Sequence, residues 1–281
     1  MDRELLFWVL VATLCAPSVW FFSALSLRDV PPAGEEMTNE EGLRWRELVS
    51  PVLPGAVIFA GLLGWAISEP ADAEPASYLT VAIVPAGLVW LRAVARAIRA
   101  ALPAPSDHAA ATVGLLRPRV VLREGLEGLL DPEALRAAKA HEEAHVRHRD
   151  PLKMWAAQVV TDLQWPCPNA GRRFRLWLHA LEVARDDEAV ASGVDPLDLA
   201  KAIVTCAAAG QHSRGALSSV AGEASLLPVR IRRLLEPRVH RPLRKARAIF
   251  IPAIAGLVVV GFISGIVFGE RLEGALLGAL S

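Results

Sequence analysis

Within the stretch AAKAHEEAHVRHRDP (137–151), His141 and His145 stand four residues apart, with Glu142 directly after the first. On an α-helix, positions i and i+4 are neighbours on one face, about 5–6 Å apart at Cβ. Two imidazoles so placed can share one Zn²⁺ at about 2.0–2.1 Å. Glu142 can then reach past the metal to a water without being a ligand, which is the general-base geometry of H-E-x-x-H. A catalytic zinc also needs a third protein ligand and an open position. Glu182 is the expected ligand, with Asp186 one turn on as the outer carboxylate that accepts from a ligating imidazole. The competing reading is that Glu182, Asp186, Asp187 and Glu188 form an exposed acidic cluster.

His148 lies three residues beyond His145. It is either an alternative ligand or substrate contact, or a cationic histidine favoured by the helix C-terminus. The second reading is preferred. His108, His179, His212 and His240 lack ligand spacing and are read as structural or solvated. Cys15, Cys167 and Cys206 make an odd count without paired spacing, which argues against a disulfide framework.

The elements that must position these residues are helical. Asp131 is a good N-cap, Pro132 suits the first helical position, and Glu133 suits the positive helix end. Ala134, Ala138, His141 and His145 then share one stripe, Lys139 falls on the opposite face, Asp150 ends the helix locally and Pro151 ends the run. Further helices are expected over 152–165, over 172–193 closed by Gly193, and from Asp195-Pro196 onward. Two short strands are expected about Arg117-Pro118, RVVL (119–122) being the clearer.

This helical unit sits among apolar runs. The 281 residues are 53% hydrophobic and 21% charged, with a mean hydropathy of +0.35. Spans are expected at about 5–25, 51–68 and 78–98, and again from 248. The third extends through Arg92 and Arg96, whose long stems can snorkel to the interface. A signal peptide is the lesser reading of the first run, because the apolar stretch is long and MDRE is not clearly basic. The loop EPADAEPASY (69–78) holds no Lys or Arg, whereas Arg92, Arg96 and Arg99 follow the third run and eight basic residues precede the fourth. The positive-inside rule therefore places 100–247 in the cytoplasm and both termini outside.

The expected organisation is thus mainly α. Residues 1–99 carry three transmembrane helices, 100–247 form a cytoplasmic domain, and 248–281 form a fourth transmembrane helix and short tail. Gly261-x-x-x-Gly265 can pack against another helix. A homo-oligomer is a candidate assembly. Net charge is zero, so no direct nucleic-acid binding is expected.

The ordered set GLLRPRVVLREGL, HEEAHVRHRDP, LEVARDDEAVA and RIRRLL, held between the third and fourth apolar runs, resembles the membrane zinc peptidases of the BlaR/MecR type over roughly 1–270. The resemblance implies a zincin-like (gluzincin) α+β domain. His141, His145 and Glu182 would be zinc ligands and Glu142 the catalyst. It also implies signalling by cleavage of a cytoplasmic transcriptional repressor. The chain departs from that pattern in two ways. Only Glu270 to Ser281 follow the fourth run, so no penicillin-binding sensor domain is expected. Arg185 precedes Asp186 where relatives often have a small residue or Cys, and could pair with Asp187 or Glu188.

HtpX-like quality-control peptidases share H-E-x-x-H and E-x-x-x-D but place apolar helices between the two motifs, where this chain has the charged segment 146–181. The remaining alternative is a non-catalytic zinc-binding membrane transducer. In the enzyme reading zinc lowers the pKa of a water toward about 7, Glu142 takes its proton, and substrate adds as a strand to RVVL.

Overall fold

The fold follows from how the histidine helix is started and stopped. In a computed structural model that describes residues 2–25, 41–68, 81, 83–101, 110–122, 125–213, 227–236 and 254–267, this helix runs Pro132–Arg147. The Asp131 side chain accepts from the Ala134 N–H at 2.7 Å, satisfying one of the orphan donors of the first turn. At the other end Arg149 takes a left-handed conformation (φ 51°), and the chain re-enters a helix at once, Asp150–Leu163. Asp150 therefore opens the next helix, where a local helix end was expected. Its carboxylate suits the positive N-terminus.

In chain order the elements are α1 (Asp2–Leu10), a π-helical turn Val11–Cys15, α2 (Ala16–Leu25), α3 (Glu41–Val49), α4 (Leu53–Ile67) and α5 (Ile83–Ala101). Then come strands β1 (Ala110–Val113) and β2 (Arg119–Leu122), followed by α6 (Pro132–Arg147), α7 (Asp150–Leu163), α8 (Pro168–Ala191), α9 (Pro196–Ser213) and α10 (Leu227–Leu235). An apolar helix, α11, covers Ile254–Val267. The chain is mainly helical, with few strands. β1 and β2 pair antiparallel with Thr112 opposite Val120, and the turn between them uses Gly114 at φ 102°. There a Cβ would come within 2.7 Å of the Arg117 carbonyl oxygen. α8 and α9 are separated by Gly193 at φ 100°, as its place after the last helical turn implies.

α6 owes its close packing to alanine. Ala134, Ala137, Ala138 and Ala144 are buried. Ala137 packs with Ala189 of α8 and Leu199 of α9, and Ala134 and Ala138 with Leu126, Leu130 and Ala202. Small side chains let neighbouring backbones approach, which brings α8 side chains within reach of the α6 histidines.

Among the described residues, two helices are long and apolar enough to cross a membrane: Glu4–Leu25 and Glu41–Ile67. The second continues from α3 through one 3₁₀ turn into α4, so it begins at Glu41, ahead of the run 51–68. The reason is that α3 is amphipathic. Leu48 and Trp45 pack on Trp177 and Leu181 of α8, so a segment too polar to be read as a span is fixed as helix by the domain beneath it.

The arginines of α5 also depart from expectation. Arg92 contacts Oδ1 of Asp162, and Arg96 Nε lies 2.9 Å from Oδ2 of the same residue. The Asp162 side chain is 3% exposed, so a buried carboxylate draws the guanidinium groups toward α7. On the outside of α5, Val84, Leu88, Leu91, Val94 and Ile98 form an exposed apolar stripe.

α11 packs on α4 through glycines. A Cβ at Gly265 would lie 1.9 Å from the Gly61 carbonyl oxygen, and one at Gly261 would lie 2.8 Å from that of Val57. Such backbone approach is the usual packing of small-residue motifs between helices in lipid. Gly265→Leu is therefore expected to lower the thermal stability of the detergent-solubilised chain by about 1–3 kcal/mol or more. Gly256→Leu, whose Cβ would meet nothing within 4 Å, should leave it unchanged. Equal melting curves for both variants would contradict the helix pair.

Candidate metal centre

The stripe on α6 delivers His141 and His145 side by side, with their Nε2 atoms 3.1 Å apart. Both residues are 8% exposed. From α8, Glu182 closes the cluster: Oε2 is 3.5 Å from His141 Nε2 and Oε1 is 3.7 Å from His145 Nε2. One donor atom from each of the three residues lies within 4.8 Å of the others.

The far side of each ring faces a carboxylate. His145 Nδ1 donates to Asp150 Oδ2 at 2.9 Å, since a buried carboxylate with cationic partners accepts only. His141 Nδ1 lies 3.0 Å from Asp186 Oδ1 as a charge contact. Its ring N–H does not aim at that oxygen, and the nitrogen has no hydrogen-bond partner in line. With protons on the Nδ1 atoms, both Nε2 lone pairs point into one space that also holds the Glu182 oxygens. Acceptors crowded so closely repel unless a positive centre lies between them.

The donor set fits a divalent cation. An ion with tetrahedral bonds of about 2.0–2.1 Å holds its donors about 3.3 Å apart. The two Nε2 atoms at 3.1 Å and the His141 Nε2 to Glu182 Oε2 distance of 3.5 Å lie near that spacing, while His145 Nε2 approaches the other Glu182 oxygen at 3.7 Å. The same appetite for positive charge appears in the protonation of the site. Burial opposes a charged His141, but Asp186 and Glu182 outweigh it and push the ring up to about 9. Burial likewise opposes ionised Glu182, and Arg230 with the histidines holds its carboxyl well below the usual range.

Arg230, on α10, orders the carboxylates. Its Nε and Nη2 each lie 2.8 Å from an oxygen of Asp186, and its Nη1 is 3.0 Å from Glu182 Oε2. This bidentate fork fixes the plane of Asp186 and one edge of Glu182. Asp150 is held in turn by Arg185, through a contact to Oδ2 and a second at 3.1 Å to Oδ1, and by Lys153 Nζ at 2.8 Å. Burial raises the Asp150 carboxyl, yet His145 and Arg185 pull it far below the ordinary carboxylate value.

Glu142 is half-buried and is not one of the three converging residues. Thr112 of β1 fixes it: the hydroxyl lies 2.8 Å from Glu142 Oε2 and 3.0 Å from the Glu142 carbonyl oxygen. The hairpin thus tethers the carboxylate of the residue next to His141, which is not in the donor set.

The rest of the acidic run turns elsewhere. Asp187 pairs with Arg233 at 2.6 Å, and Glu188 with Arg147 at 3.0 Å and His148 at 2.8 Å. His148 therefore stands outside the cage, and burial and Arg185 push its pKa down. The cationic form expected from the helix C-terminus is not the one its surroundings favour. His179 is also pushed down, to about 4, by burial and Arg175. The side chains of His108, His212 and His240 lie outside the described residues. Asp150, Arg230, Lys153, Glu41 and Thr112 were not singled out by the spacing argument. Of these, Asp150 lay inside the quoted HEEAHVRHRDP, where it read only as a helix end, and Arg230 inside RIRRLL, whose periodicity does not say which arginine points inward.

No family model, curated protein or solved structure matches the chain.

If the cage is a metal centre, His141→Ala and Glu182→Ala each abolish stoichiometric divalent metal in the purified full chain, read by elemental analysis with folding checked by circular dichroism. His148→Ala retains it. Retention of full metal content by either of the first two variants would contradict the donor set.

Proposed function

We propose that the chain is an integral membrane zinc metalloendopeptidase whose active centre is His141, His145 and Glu182, with Glu142 as general base. The observation that carries this reading is the convergence of two imidazole nitrogens and one carboxylate, with the carboxylate of the residue after His141 tethered by Thr112.

Zinc held there would act as a Lewis acid toward a peptide carbonyl and would acidify a water. The chain's own groups do the rest. Asp150 accepts from His145 Nδ1 and so turns its Nε2 to the cage, and the charge of Asp186, 3.0 Å from His141 Nδ1, favours a proton on that nitrogen. Arg230 keeps Glu182 and Asp186 ionised against burial. Glu142 takes the proton of the attacking water and passes it to the leaving amine. Thr112 restricts the rotation of that carboxylate.

The membrane part of the reading is four spans with the zincin-like domain on the cytoplasmic side, as the basic residues favour. α5 supports it with an apolar stripe facing outward, away from Asp162. α11 supports it with its glycine contact to α4 and with Leu257, Val260 and Ile263 exposed. Large exposed apolar stripes of this kind are rare on proteins surrounded by water. The substrate class proposed is a cytoplasmic protein such as a transcriptional repressor, which rests on the resemblance to BlaR/MecR-type peptidases.

Glu142→Gln separates a peptidase from a zinc-binding transducer that does no chemistry. The variant is expected to keep its zinc and to lose at least about 100-fold of its turnover of a quenched fluorescent peptide library. Turnover equal to that of the wild type, at equal zinc content, would contradict the catalytic assignment.

A further inference from the structure

Glu41 is the first residue of the apolar helix Glu41–Ile67, and it is only 7% exposed. A carboxylate at the end of such a helix normally faces water. Here it faces two cations: Arg185 Nη2 at 3.3 Å and Lys153 Nζ at 3.5 Å. Both cations also grip Asp150, which is fully buried and accepts from His145. A line of charge-assisted contacts therefore runs from the start of the apolar helix through Arg185 and Asp150 to an imidazole of the cage.

The geometry makes Glu41 a competitor that the site needs. Arg185 Nε and His145 Nδ1 both address Oδ2 of Asp150. Lys153 and Arg185 Nη2 both address Oδ1. Two full positive charges on one carboxylate, from Arg185 of α8 and Lys153 of its own helix, would reduce what it offers the imidazole. Glu41 draws Nη2 and Nζ outward and shares the load. It does so from a backbone position set by where the helix Glu41–Ile67 lies.

We propose that Glu41 is a positioning residue of the metal centre, and that through it the helix Glu41–Ile67 sets the metal affinity of the His141, His145 and Glu182 cage. The proposal rests on the metal-centre reading and not on peptidase activity. A shift of that helix relative to α8 changes the hold on Asp150 and thus the aim of His145. The second reading, a plain anchor of α3 on the domain, would move the stability of the chain and leave metal binding alone.

The test is the zinc dissociation constant of the full chain in detergent, measured by competition with a chelating dye, together with the visible spectrum of the Co²⁺-loaded protein. Groups that directly orient a ligating histidine typically change metal affinity about 10- to 100-fold. Asp150→Asn should fall in that range. Glu41→Gln, one contact further out, should weaken zinc by about three- to tenfold and shift the Co²⁺ bands, while Glu41→Asp stays within about twofold of wild type. Because Glu41 acts through Asp150, the double variant E41Q/D150N should bind zinc no more weakly than D150N alone. Losses that multiply in the double variant would overturn the proposal. So would a Glu41→Gln protein that melts earlier yet binds zinc like the wild type. If the wild type itself takes up no stoichiometric zinc, the metal-centre reading falls first, which is a different result from tight wild-type binding that ignores position 41.

Discussion

Two imidazole nitrogens and a carboxylate cannot be pressed together in a buried space unless something positive joins them. That constraint organises the domain. The donors come from helices whose contact is made close by alanine, and a carboxylate stands behind each ring, hydrogen-bonded to His145 and in charge contact with His141. Each of those carboxylates is answered by an arginine, Arg230 for Asp186 and Arg185 for Asp150. Removing one partner of such a buried pair leaves the other charge uncompensated, typically at about 3–5 kcal/mol. The cage is therefore built from the outside in: arginines fix carboxylates, carboxylates fix rings, and rings fix the donor atoms.

The same logic joins the domain to the apolar helices. Gln164, fully buried at the end of α7, donates to the Leu48 carbonyl at 3.0 Å and meets Ser23 at 3.0 Å. Arg173 reaches Ser23 and Gln164 at 2.6 Å each. Trp20 donates its indole N–H to the Trp165 carbonyl. Buried polar groups of this kind are costly when unsatisfied, so the network fixes where α2 and α3 meet α7 and α8. With Arg92 and Arg96 on Asp162, three of the apolar helices are held to the unit that carries the cage by specific polar contacts. Such a unit feels the position of those helices, which a domain on a flexible linker would not.

Much of the site was legible because its information is local. The four-residue spacing of the histidines, the cap at Asp131, the E-x-x-x-D spacing of Glu182 and Asp186, and the stop at Gly193 each depend on residues within a turn or two. What was not legible depends on tertiary contact or on an uncommon backbone state. Asp150 meets His145 only because Arg149 adopts φ 51°, a conformation few residues other than glycine take, and its sequence neighbours gave no sign of it. Glu41 lay in a stretch too polar to be read as part of a span, yet Leu48 and Trp45 fix it as helix against α8. Arg92 and Arg96 read as interface residues from the apolar run before them, and the carboxylate that claims them is 66–70 residues away. Arg230 was one of many arginines, and only the position of α10 selects it.

The central claim is that the imidazoles of His141 and His145 and the carboxylate of Glu182 share one zinc ion. Zinc K-edge X-ray absorption of the purified, full-length protein tests it most directly. The account predicts one zinc per chain in a shell of nitrogen and oxygen donors at about 2.0–2.1 Å, with the outer-shell scattering of two imidazoles and no sulfur. A shell containing sulfur at about 2.3 Å, or one with no imidazole scattering, would contradict it.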